Sequence, residues 1–477
     1  MTNEPMTNDQ TIRILAKGGV IAPGDLRKVC GIAGEMGCES IGLGSRQEIL
    51  LRVSAGRTAR AMDGLVKTAL PFETGPGGKA NIVTSYGAVG IYPATPWLLA
   101  GTYLDILEGF AYQPRLKINL TDPQQPLIPR FSGELNFIAA AYPMRWHLYV
   151  QLPAFGGSGQ WWPAAVGSED IAGLCYAIEQ VYLAGGVTDL GGLYGAVTRQ
   201  WAGLAGRTDA PPAGVPRLPF PAYEGFHEGG GGYWLGVYRR DYTYPLAFVD
   251  ELCELALRSK IGKICLTPWK TLLIKDIRAE HRPQWEKLLG VHHVGVHHAA
   301  NELNWQLPDL DEGALALKKR LVRQLEEAEC NTAGLSFAIG SPALPVATSV
   351  VIEPEPGRPA TFTLRHTADF TRSNTRWRVF ARHVPEEDLA GKLRALCLHY
   401  HLSAVPGEAE TGPATPDPKP AHPEQVRYQC PHCLTVYDPR VGDPAAGVPV
   451  GRAFAHLPGE YHCSLCEAHK ADFVLAP

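Results

Sequence analysis

The sequence predicts an α+β or α/β body of duplicated units, followed by a small domain stapled by a metal. Three observations predict it. Two Cys-x-x-Cys pairs, Cys430/Cys433 and Cys463/Cys466, are separated by twenty-nine residues. A series of strands and helices runs up to about residue 209 and restarts after a proline-rich seam at 210–221. Residues 404–424 hold six prolines and no apolar period, which reads as an extended, semi-rigid tether. The expected division is therefore 1–209, 222–403, a linker at 404–426 and a metal domain at 427–477.

In chain order, Ile12–Leu15 reads as a strand. Pro23-Gly24-Asp25 opens a helix to about Met36, with Asp25 as cap or first-turn acid. Glu39–Leu51 reads as one strand with Arg46-Gln47 in its middle, and further elements continue through Arg57–Leu70. Residues 80–84 read as a strand, Trp97–Phe110 as a helix, and Lys117–Leu120 and Glu134–Ala140 as strands. Cys175–Ala184 and Gly191–Ala202 read as helices. After the seam, Gly232–Tyr238 reads as a strand, Leu246–Arg258 as a helix, Lys263–Ile274 as a strand and Arg282–Leu289 as a helix. In both halves a helix leads to a strand with a turn-like polar step, Leu43-Gly-Ser-Arg-Gln47 in one and Leu266-Thr-Pro-Trp-Lys270 in the other. This is the sign of an internal repeat.

The 477 residues exceed what one core supports, so about three domains are expected. A net charge of −4 gives no reason to expect nucleic acid as a partner. Residues 1–10 are polar and carry no apolar signal run, and no window is apolar enough to cross a membrane. Seven of the eleven cysteines are scattered singly, which suits a reduced cytoplasm better than a disulfide framework.

The metal reading follows from geometry. A Cys-x-x-Cys turn is short enough to aim both sulfurs at one point, and two such turns make a tetrathiolate site for zinc or iron. Around Cys430, Cys433, Cys463 and Cys466 stand Tyr428, Tyr437-Asp438-Pro439, Gly442-Asp443-Pro444, Phe454, Leu457-Pro458, Tyr461, Lys470 and Phe473. This frame resembles rubredoxin over 428–473 with no gap. The resemblance implies one iron on the four cysteines, cycling between Fe3+ and Fe2+. A domain this small has too little core to stand without such a staple. A zinc ribbon is the rival reading of the spacing. The sequence departs from the family at Leu434 and Glu467, where glycine is usual because those positions often need positive φ. It departs again at Ser464, where proline is usual, and at Tyr461, where tryptophan is usual.

A second resemblance covers most of 12–400. Asp25–Leu51 and Gly232–Leu289 look like the two ferredoxin-like half-domains of sirohaem nitrite and sulfite reductases. Those enzymes hold a [4Fe-4S] cluster with Cys-x5-Cys and Cys-x3-Cys. Neither spacing occurs in this chain, and the stretches 85–95 and 121–132 contain no cysteine. No such cluster and no sirohaem are therefore expected. The family's use of basic residues for the sirohaem carboxylates makes Arg46, Arg52, Arg57, Lys270 and Lys275 candidates for an anionic or tetrapyrrole pocket. The alternative is that they are solvated strand-end charges.

Other motifs read blandly. On a strand, His292 and His298 would point one way and His293 and His297 the other, pairs too small for a full metal shell even with Glu302; polar strand and turn histidines are the default. Gly229–Gly232 precedes a strand and is no dinucleotide fingerprint. Leu310–Glu329 is an amphipathic helix whose Lys318-Lys319-Arg320 is read as a solvated face. Cys30 and Cys38 read as ordinary thiols, and Pro385-Glu386-Glu387 starts a helix to about Tyr400.

The combined reading is a cytoplasmic electron-transfer protein. A rubredoxin on a tether serves a redox protein partner, with nitrite, nitrate or sulfite assimilation implied by the body alone, and with no membrane or nucleic acid involved. Two rivals stand beside it: a reductase that binds sirohaem or another tetrapyrrole fed within the chain, and a zinc-stapled interaction protein. At ~3.1 Å per residue the tether would reach roughly 60 Å. Limited proteolysis is expected to cut first between Glu408 and Lys419 and release an intact red fragment; resistance there with cleavage elsewhere would refute the tether.

Overall fold

The computed structural model describes residues 9–475 apart from 76–80, 157–158, 202–206, 209–217, 219, 230, 341–347, 369, 371–376, 404–426, 434, 440, 444–445 and 450. Most of the 210–221 seam and the tether lie outside the described residues. The chain forms two compact units, Met1–Ala404 and Val405–Pro477.

The body opens with β1 (Asp9–Leu15), β2 (Val20–Ile21), α1 (Pro23–Glu35), β3 (Ser40–Leu43), β4 (Glu48–Ser54), α2 (Thr58–Val66) and β5 (Phe72–Thr74). A middle domain follows: β6 (Val83–Thr84), α3 (Ala100–Gly109), β7 (Ile118–Thr121), β8 (Leu135–Ala139), β9 (Arg145–Val150), β10 (Gln160–Trp161), β11 (Ala164–Gly167), α4 (Ile171–Ala184), α5 (Leu190–Gln200) and β12 (Arg207–Thr208). The second copy of the opening unit is β13 (Gly225–Gly229), β14 (Gly232–Val237), β15 (Thr243–Pro245), α6 (Leu246–Arg258), β16 (Ile264–Leu266), β17 (Leu272–Ile277) and α7 (Arg282–Val291). A third domain closes the body with α8 (Ala300–Leu303), β18 (Trp305–Gln306), α9 (Glu312–Glu327), β19 (Phe337–Ile339), β20 (Val350–Pro354), β21 (Thr361–Thr367), β22 (Trp377–Pro385) and α10 (Leu389–Ser403).

The repeat is a pseudo-twofold. One sheet runs β15-β3-β4-β1-β5 and its counterpart β13-β14-β17-β16-β2. Each copy passes a short strand to the other: β15 pairs with β3, and β2 pairs with β16. Helices α1 and α6 are both thirteen residues long and bury matching faces, Leu26, Val29, Cys30 and Ala33 against Val249, Leu252, Cys253 and Ala256. Arg27 and Asp250, equally far into their helices, form a bidentate pair at 2.7 and 3.1 Å. The two copies share one core, with Ile12, Ile49, Leu235, Leu272 and Trp285 fully buried. Halves 1–209 and 222–403 are therefore not separate bodies, because the exchanged strands make each copy part of the other's sheet.

The single strands expected over 39–51 and 263–274 are hairpins, β3–β4 and β16–β17. The turns are closed by non-glycine residues in the left-handed region, Gln47 at φ 63° and Lys270 at φ 58°. Such a residue costs about 1 kcal/mol or more. Its side chain repays that by reaching into the next domain. Gln47 Nε2 donates to the carbonyls of Thr84 (3.2 Å) and Leu266 (2.9 Å). Lys270 Nζ donates to the Leu307 carbonyl at 2.9 Å and pairs with Asp309 at 3.1 Å.

Two further expectations change. Residues 292–298 form no strand; they follow the end of α7 as turn and coil. Lys318 does not lie on a solvated face. It falls in register with Ala314 and Val322 on the buried stripe of α9, while Lys319 and Arg320 point outward. Its ammonium pairs with Glu302 and lies 2.6 Å from the Tyr238 hydroxyl. Deleting one partner of a buried ion pair strands the other, at a cost of ~3–5 kcal/mol. Lys318→Met is expected to destabilise the body by about that amount in urea unfolding, and Lys318→Met/Glu302→Leu together to restore most of it.

Candidate metal centre

The smaller unit holds a three-stranded sheet, β23 (Tyr428–Gln429), β24 (Val436–Tyr437) and β25 (Val474–Leu475), in the order β24-β23-β25. Its core is aromatic. Tyr428 stacks on Phe454 at 4.1 Å between ring centres, and Tyr437, Tyr461 and Phe473 pack edge-on or tilted around Phe454 at 5.1–6.2 Å. Tyr461 sends its hydroxyl to Asp443 at 2.7 Å, so the hydroxyl has a partner where the family's tryptophan would offer an N–H. Burial, together with that carboxylate, pushes the Tyr461 phenol well up.

Two knuckles with the same closure rise from this core. Cys430 N–H donates to the Thr435 carbonyl at 2.9 Å, and Cys463 N–H donates to the Ala468 carbonyl at 2.8 Å. Glu467 sits at φ 60°, as its place in the second knuckle demands, and its N–H returns to the Cys463 carbonyl at 2.9 Å. Leu434, its counterpart, lies outside the described residues.

The knuckles bring four sulfurs together. All lie within 4.8 Å of one another, with Cys430–Cys466 and Cys433–Cys463 each at 3.5 Å. A tetrahedron with metal–sulfur bonds of ~2.3 Å has an edge of about 3.8 Å, so the set fits one four-coordinate ion. Electrostatics agree. The hydroxyl and N–H of Thr435 pull the Cys433 thiol down to about 6. Cys466, despite the Ala468 N–H that lowers it, is pushed up to about 12 by the sulfurs of Cys433, Cys430 and Cys463. Four crowded thiolates need a cation among them. Cys430 and Cys463 are buried, Cys433 is half-buried and Cys466 is exposed.

Among the described residues this is the one group of histidines, cysteines and acids placed to hold a metal. Two of the four histidines of 292–298 meet separate carboxylates, His292 that of Glu251 at 3.1 Å and His298 that of Glu224. The five basic candidates all bond to this chain, Arg46 and Lys270 buried, Lys275 half-buried, and Arg52 and Arg57 at exposed positions. Arg46, fully buried, donates to Asn119 and to the carbonyls of Ser132, Asn81 and Ile118 at 2.8–3.1 Å, and burial pulls it down to about 10. Lys275 donates to the carbonyls of Tyr86 and Val89 at 3.1 and 3.0 Å, and Arg57 to that of Met36 at 2.6 Å. Arg52 pairs with Glu312 and donates to the Leu310 carbonyl. Arg46 and Lys270, buried and bonded, are not solvated strand-end charges. Thr435 is the site residue missed in the sequence; its signal was a hydroxyl two residues beyond a ligand cysteine.

The rubredoxin family model matches residues 427–473. The probable rubredoxin HupI of Bradyrhizobium diazoefficiens is 48% identical over 49 residues, 10% of this chain and 71% of that protein. Rubredoxin-2 of Chlorobaculum tepidum is 36% identical over 48 residues, 92% of that protein. The Mycobacterium tuberculosis NirA protein structure superposes with a TM-score of 0.64 at 14% identity, covering 84% of this chain and 82% of that one. It establishes the fold of the body alone.

Replacing Cys463 with Ala is expected to abolish metal binding and unfold 427–474 while the body's melting transition stays in place; retained metal at full occupancy would contradict the ligand set. Glu467→Gly, which relieves the positive φ, is expected to stabilise the metal domain by about 1 kcal/mol, read as slower metal loss on heating.

Proposed function

Through residues 427–473 the chain belongs to the rubredoxin family, and from that premise we propose a one-electron carrier whose iron is held by Cys430, Cys433, Cys463 and Cys466. Iron bound there supplies a reversible ferric–ferrous couple. The observation that carries the reading is the sulfur set itself, four thiols at tetrahedral spacing inside the family's aromatic frame. The chain's own residues do the rest. Buried Cys430 and Cys463 anchor the site, and the exposed Cys466 with half-buried Cys433 forms the edge through which an electron passes. Leu465, 74% exposed beside Cys466, offers a partner an apolar contact at that edge. The Thr435 hydroxyl, 3.2 Å from the Cys433 sulfur, stabilises negative charge on it.

The body serves in this reading as the docking part, which selects a redox partner in nitrite, nitrate or sulfite assimilation. Support comes from its likeness to the sirohaem reductases. The docking role is favoured over a sirohaem site because Arg46, Lys270 and Lys275 already donate to carbonyls of this chain. The cysteine spacings favour a body without an iron–sulfur cluster.

Iron and acid-labile sulfide assays with a visible spectrum test all of this. The expected result is one iron, no inorganic sulfide and a ferric tetrathiolate spectrum. Stoichiometric sulfide, a Soret band, or a colourless zinc-loaded protein would each overturn it. Thr435→Val removes a hydrogen bond that favours the more negative, reduced site. The reduction potential is expected to fall, by roughly 40 mV if that bond is worth about 1 kcal/mol for one electron. Voltammetry reads the shift.

A further inference from the structure

The body also carries a cleft of 530 Å³ between the turn after β14, the segment 293–298 and the flank of α9 that holds Lys319, Val322, Arg323 and Glu326. A volume of that size suits a small organic molecule better than an inorganic ion. Buried Val294 and Val322 give it an apolar wall. Four cations and three carboxylates line it. Two of the carboxylates are answered from within the chain, Glu302 by buried Lys318 and Asp241 by Arg239 at 3.5 Å. Arg323 is shared with Glu327 at 2.9 Å, outside the cleft. Arg240 and Lys319, both exposed, have no ion-pair partner among the described residues, and Glu326 is the one unanswered acid beside them. Among the lining side chains themselves, cations outnumber carboxylates by one.

One wall is set with unusual rigidity. Both Nδ1 and the backbone N–H of His298 meet the carboxylate of Glu224, the latter at 2.9 Å. The imidazole also packs edge-on against Tyr238 at 5.2 Å. A histidine held this way presents its other nitrogen in one direction, and Nε2 has no partner among the described residues.

The corresponding turn of the first copy is built differently. In the first copy, the turn that follows β1 carries Gly18 and Gly19, both buried. A Cβ on Gly18 would stand 2.4 Å from Leu107 of the middle domain, so that turn is sealed. In the second copy the turn carries Arg239-Arg240-Asp241, and the cleft opens against the third domain.

We propose that this cleft binds a small organic anion, a carboxylate or phosphate ester with an apolar part. Arg240 and Lys319 take the charged group, His298 Nε2 hydrogen-bonds to the bound molecule, and Val294 and Val322 cover the apolar part. The site is separate from the iron centre in sequence and in chemistry. Isothermal titration of the full chain with phenyl phosphate, at fixed ionic strength, tests it. Saturable one-to-one binding is expected. Two charge-assisted hydrogen bonds lost at about tenfold each should weaken it about a hundredfold in Arg240→Gln/Lys319→Gln. Arg278→Gln, an exposed arginine outside the cleft, should leave it unchanged. No saturable binding by the unaltered protein, equal binding by the double variant, or an equal loss in Arg278→Gln would each overturn the proposal.

Discussion

A buried guanidinium has no water to bond to, so it must be met by the chain, and Arg46 organises the body around that requirement. Its hydrogen bonds gather the start of β6, the strand β7 and the loop before β8 onto one hairpin turn. Asn81 answers from the other side, donating to the carbonyls of Ala16, Arg46 and Gln47 at 2.9–3.1 Å. The second repeat uses the same turn with different chemistry. Lys270 gives its ammonium to the Leu307 carbonyl and Asp309, fastening the third domain. Each turn thus fastens one added domain, and further bonds cross between repeats and added domains: Arg52 of the first copy pairs with Glu312 of the third domain, and Lys275 of the second donates to the Tyr86 and Val89 carbonyls of the middle domain.

The metal domain solves a different problem. It has a small aromatic core and two knuckles that converge on sulfur. Four thiols within 4.8 Å of one another resist joint ionisation without a cation, because like charges that close repel. Binding and folding are therefore one process there, whereas the body has cores of its own. The two units rest on unrelated sources of stability.

How much was legible in the sequence follows from the range of the forces. The knuckles are local, so four cysteines and five aromatics sufficed to find them. Helix α6 was read with its observed bounds because its apolar spacing is periodic. The two hairpins read as single strands with a polar step, because apolar residues flank a turn whose left-handed positions are Gln and Lys instead of Gly. Lys318 was misread because a charge run suggests solvent, although its spacing from Ala314 and Val322 places it on the buried stripe. The exchange of β2 and β15 could not be read at all: strands of two and three residues carry no period, and their partners lie some two hundred residues away in sequence.

That exchange bears on how the chain is made. A ribosome delivers β3 long before Thr243–Pro245 exists, so the edge of the first sheet emerges unpaired and stays so while the middle domain is synthesised. The middle domain, whose sheet is drawn wholly from residues 83–208, has been delivered by then. Insertion of a domain between two halves that need each other turns the order of synthesis into an order of assembly, in which the last-made copy closes the first.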